Sequence, residues 1–110
     1  MSKYIYLYRG PVTPMEQMTE EQGAEQLAAW NKWIEGVGSA MVDVGLPFGA
    51  GAAVSDDGSA GEPGDLNGYS IVEADSLDAA KGLATDHPFL SEGKGRFAID
   101  VYELVPIPGM

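Results

Sequence analysis

His87 is the only histidine of the chain and directly follows Asp86. Its imidazole is the one side chain whose unperturbed pKa lies near neutrality, so it could carry a proton to and from a substrate. A place at the end of a helix would favour the charged form, as would a carboxylate such as Asp86 or Asp75. Asp43 and Asp75 stand beside or at the ends of predicted strands, where either could orient His87 or bind a substrate hydroxyl. His87, Asp75 and Asp43 are therefore the candidate catalytic residues. Each also has a plainer role: a helix-ending histidine bonded to carbonyls, a cap-region carboxylate at Asp75, a solvated strand edge at Asp43. Tyr6, Tyr8 and Trp33 could line an aromatic pocket. Arg9 could hold a substrate carboxylate in a bidentate pair, or simply meet a nearby acid. These four are the candidate substrate-binding residues.

Other chemistries find little footing. The chain has no cysteine, hence no disulfide, thiolate nucleophile or Cys-ligated metal. With one histidine, a zinc site would rest on carboxylates alone. Asp56, Asp57 and Glu62 lack the alternating spacing that wraps calcium. Gly49-Ala50-Gly51 belongs to no strand-glycine-helix unit that could cradle a nucleotide. No metal and no cofactor are expected. The net charge is −11, and the six Lys and Arg residues are scattered, which speaks against a nucleic acid or an anionic membrane as partner. The N-terminus lacks the longer apolar stretch of a signal peptide and no run approaches a transmembrane length, so a cytoplasmic protein is expected.

The elements that must position these residues follow from patterning. Lys3-Tyr4-Ile5-Tyr6-Leu7-Tyr8-Arg9 reads as a strand, ended by Gly10-Pro11, with tyrosines on one face and Ile5 and Leu7 on the other. Thr19-Glu20-Glu21-Gln22 has capping-box spacing. After it Leu27, Trp30, Ile34 and Val37 form a helical stripe, with Trp30 read as core and Trp33 at its edge; Gly38 is the predicted left-handed cap. Met41–Leu46 is a short second strand stopped by Pro47. Residues 48–66 form a long loop, with a weak extra strand around Ala52-Ala53-Val54. Gly68–Ala74 is a third strand. Ser76 caps a second helix that carries Leu77, Ala80 and Ala84 on one side and stops at Pro88. Arg96–Val105 is the last strand, Phe97, Ile99 and Val101 on one face, Asp100 and Tyr102 on the other.

A chain of 110 residues fits one domain, residues 1–110. The order is that of a ferredoxin-like α+β fold, βαββαβ, with both helices on one face of an antiparallel sheet. The other face is then bare. Either the tyrosines or Ile5 and Leu7 must point there, with Tyr102 as neighbour, and a homodimer through the sheet faces is the economical way to cover them.

The pattern resembles the YCII-related (DGPF-type) domains of the dimeric α/β-barrel superfamily. The resemblance rests on Lys3-Tyr4-Ile5-Tyr6-Leu7-Tyr8, on Met18-Thr19-Glu20-Glu21, on Trp30 and Trp33, on the stretch from Gly68-Tyr69-Ser70-Ile71-Val72 to Ala80, and on His87-Pro88. It implies a dimer built through the sheets and a pocket between sheet and helices. Members proposed as enzymes are assigned a His-Asp pair with the His on the first helix. Here Trp30-Asn31-Lys32-Trp33 occupies that region, and Asp57-Gly58-Ser59-Ala60 is only a fragment of the DGPF motif. Three functions follow. The first is a dimeric small-molecule binder with an apolar and aromatic pocket under the Phe48–Leu66 loop. The second is a cofactor-independent acid/base enzyme working through His87 and an acidic partner. The third is a self-associating accessory domain.

Overall fold

A computed structural model describes residues 1–11 and 19–109 of the chain. Met18, part of the family-like helix start, lies outside them. Strand β1 (Ser2–Arg9) is central in a four-stranded sheet of order β2-β5-β1-β6, formed with β2 (Met41–Asp43), β5 (Leu66–Ala74) and β6 (Ala98–Leu104). Its neighbours β5 and β6 both pair with it antiparallel, and β2 pairs antiparallel with β5. Helices α1 (Glu20–Val37) and α2 (Leu77–Ala84) make the two crossovers. This is the expected ferredoxin-like α+β architecture.

Side-chain size explains the central pairing. Tyr4, Tyr6 and Tyr8 of β1 lie opposite Val72, Ser70 and Gly68 of β5, so large residues meet small ones in register. All three tyrosines are buried beneath the helices, with Trp33, Val37, Ala80 and Ala84. That settles which face of β1 is which. The bare side carries Ile5 and Leu7, beside Tyr69 and Ile71 of β5 and Tyr102 of β6, and the tyrosines of β1 have no part in it.

The helix caps form as their sequences require. The Thr19 hydroxyl accepts the Gln22 N–H while the Gln22 side chain accepts the Thr19 N–H. Ser76 caps α2 through the Ala79 N–H. The stripe on α1 is shifted, however. Leu27 is 63% exposed, whereas Trp33 is buried and Trp30 only partly so. Trp33 wins the deeper place because its indole N–H donates to the Leu83 carbonyl of α2, at 2.9 Å. Strand β2 stops at Asp43, sooner than expected, where the Asp43 carboxylate accepts the Gly45 N–H and turns the chain. Inside the long loop a small hairpin pairs β3 (Ala53–Val54) with β4 (Ala60–Gly61). Pro88 opens a 3-10 turn, Pro88–Leu90, capped by His87 itself.

Candidate functional site

His87 sits just past α2, only 2% exposed. Its ring is boxed by Trp33 at 4.2 Å, Trp30 at 4.4 Å and Tyr8 at 4.9 Å between centroids. The backbone N–H of Phe89 donates to Nδ1 at 3.0 Å. Nδ1 is thus an acceptor, which assigns the neutral ring's proton to Nε2. Nε2–H then donates to the Tyr8 hydroxyl at 3.1 Å. Tyr8 in turn can donate to Ser70 Oγ at 2.7 Å, and Ser70 donates to the Val44 carbonyl at 2.7 Å. A one-way chain of hydrogen bonds therefore runs from the turn after α2, through the sheet, to the loop after β2. His87, Tyr8 and Ser70 are buried and satisfied, the chain ends at the exposed Val44, and no buried side-chain polar atom among the described residues lacks a partner.

The electrostatics follow from this burial. Desolvation lowers the His87 pKa to about 4, so the ring is neutral at physiological pH. The expected charged form is thereby reversed: the apolar box outweighs whatever the helix end offers. Burial pushes the Tyr8 hydroxyl up to about 12, with Ser70 partly offsetting it, and Tyr6 likewise to about 12. Tyr6 is also tied down, its hydroxyl donating to the Ala80 carbonyl.

The six other residues singled out by sequence divide sharply. Tyr6, Tyr8 and Trp33 converge on the aromatic core around His87. Neither candidate carboxylate joins them among the described residues. Asp75 is exposed and follows Ala74, which pairs with Ser2 at the far end of β1. Tyr8 lies six residues along that strand, roughly 20 Å away. Asp43 instead accepts the Tyr69 hydroxyl at 3.1 Å, which raises the tyrosine's pKa. Arg9 leaves the tyrosines and pairs with Asp100 at 3.1 Å on the other face of the sheet.

A second feature lies at the Arg9 end of the sheet, where an open groove of about 1170 Å³ runs beneath the long loop. It is lined by Leu46–Gly51 and Pro63–Asn67, by Arg9–Pro11 and Arg96, and by Tyr69. Phe48 and Tyr69, both in its lining, stack on each other at 6.1 Å and 21°. The Asn67 amide holds the Gly10 carbonyl at 2.6 Å. Asp43 thus braces a groove residue, Tyr69, rather than His87. Sequence reasoning expected a pocket under the Phe48–Leu66 loop, but it did not single out Asn67, Tyr69, Ser70 or Arg96 as site residues. Ser70 carried a signal, being the one hydroxyl on an otherwise small and apolar strand face; the groove's other lining residues carried none, because they come from segments far apart in the chain.

Among the described residues no helix is long and apolar enough to cross a membrane. A comparison with curated proteins finds no match. Among solved structures the chain is similar to 5-chloro-2-hydroxyhydroquinone dehydrochlorinase from Burkholderia phenoliruptrix, in complex with 2,5-dihydroxybenzoquinone, with a TM-score of 0.56 and 21% identity. That likeness covers 94% of this chain and 93% of the other, and it is one of fold. The profile of the YCII-related domain matches residues 4–107, nearly the whole length over which the strand pairing, the two caps and the His87-Pro88 turn have been described, and the chain belongs to that family.

Proposed function

We propose that this YCII-related domain is a dimeric small-molecule-binding protein whose ligand lodges in the groove between Arg9 and Arg96. The observation that carries the reading is the groove itself: a concavity with an apolar and aromatic wall and a few polar groups, at the mouth of a rigid sheet. The dehydrochlorinase of similar fold holds a small cyclic dione, which lends support to a small molecule as ligand. His87 supports this reading from the other side. Both of its nitrogens are occupied, its charge is suppressed, and its box is filled by its own neighbours. Such a ring holds the Tyr8–Ser70–Val44 chain in place; a working base would need a free nitrogen facing a substrate.

Dimerisation is supported by the helix-free face of the sheet. Ile5, Leu7, Ile71 and Tyr102 offer the self-complementary patch that a two-fold needs.

A fragment screen followed by amide NMR tests the ligand site. Binders should shift Phe48, Asn67 and Tyr69 while leaving His87 and Trp33 still. Shifts centred on His87 and Trp33 would move the site to the helix face and reopen acid/base chemistry there.

A further inference from the structure

The charge layout of the groove narrows what it can hold. Only six Lys and Arg residues stand in a chain of net charge −11, yet Arg9 and Arg96 line the same groove. Both side chains are open to solvent, 52% and 60% exposed. Each is gripped along one edge by a carboxylate that does not line the groove. Arg9 donates through Nε and Nη2 to Asp100, both at 3.1 Å. Arg96 donates through Nε and Nη2 to Glu92, at 2.7 and 2.8 Å. A guanidinium has five N–H donors in a rigid fork. Two are used on each arginine, and the Nη1 amine has no protein partner among the described residues.

The paired acids thus hold each fork by its Nε–Nη2 edge and leave Nη1 unengaged. Gly10 brings the two segments together: a Cβ there would meet Phe97 Cδ1 at 2.8 Å and the Arg96 carbonyl at 2.9 Å. The same lining includes Leu46 and the stacked pair Phe48 and Tyr69, an apolar and aromatic surface. We infer that the groove takes a small organic carboxylate with an apolar or aromatic body, an inference that rests on the groove being the ligand site. The carboxylate meets the Nη1 ends of Arg9 and Arg96 while the body packs on Phe48 and Tyr69. Asp65, the one acid in the lining, opposes the anion and sets an upper limit on its affinity.

Benzoate, benzamide and benzylammonium present one ring with an anion, a neutral amide and a cation. Titrated into the full chain in solution, benzoate should bind about tenfold or more tightly than benzamide, as expected for charge-assisted bonds. Arg9→Gln and Arg96→Gln should each abolish that preference with the fold intact by circular dichroism, and Asp65→Asn should enhance it. Equal binding of benzoate and benzamide, or a preference for benzylammonium, overturns the carboxylate while leaving the groove as the ligand site. No shift of Phe48, Asn67 or Tyr69 with any of the three overturns both.

Discussion

At the scale of single residues, His87 shows how burial redirects chemistry. Its pKa of about 4 in the folded chain compares with about 6.5 when unfolded. As pH falls, the unfolded state takes the proton first, so folding is favoured fully above about pH 6.5. The contribution declines between pH 6.5 and 4, by about 3 kcal/mol in all, and His87 adds no further loss below that. Urea denaturation of the protein and of His87→Gln at steps from pH 7 to 4 measures this as the difference between two curves. Parallel curves would mean that the imidazole is not kept neutral. His87 was legible in the sequence as the one ring able to titrate near neutrality, and Tyr8 as an aromatic neighbour. What the sequence could not show is that two indoles and no carboxylate would surround it. The register of β1 on β5 decides that, by sending Asp75 to the Ser2 end and Tyr8 to the other.

At the scale of elements, the order of strands and helices along the chain, both N-caps and the face alternation of β6 could all be read from residue types, because each depends on neighbours a few positions apart. The α1 stripe and the end of β2 could not. Trp33 displaced Leu27 through a bond to Leu83, 50 positions away, and β2 ends where Asp43 captures Gly45. Gly45 is decisive there. Its φ is +79°, and a Cβ would fall 1.6 Å from the Tyr69 carbonyl oxygen. Backbone, rather than a movable side chain, blocks it. Gly45→Ala should cost at least about 2 kcal/mol by chemical denaturation, because the left-handed strain and the clash both apply. Gly64→Ala meets nothing within 4 Å and has an ordinary φ, and should change stability by less than about 0.5 kcal/mol. Similar losses at the two positions would remove Gly45 from its role in seating the groove wall on β5.

At the scale of the whole molecule, the radius of gyration is 15.7 Å, against about 13 Å for a compact chain of this length. Ile71 stands at the middle of the helix-free face, so Ile71→Asp should halve the mass seen by light scattering and leave the tyrosine core folded. A native mass equal to one chain at micromolar concentration would dispose of the sheet-face dimer. The bare face also bears on how stability should be measured. In the proposed dimer, a subunit whose Ile5, Leu7 and Tyr102 are wet when alone draws part of its folding free energy from mass action. Its melting temperature is then a property of the solution as much as of the sequence, climbing with each dilution step reversed.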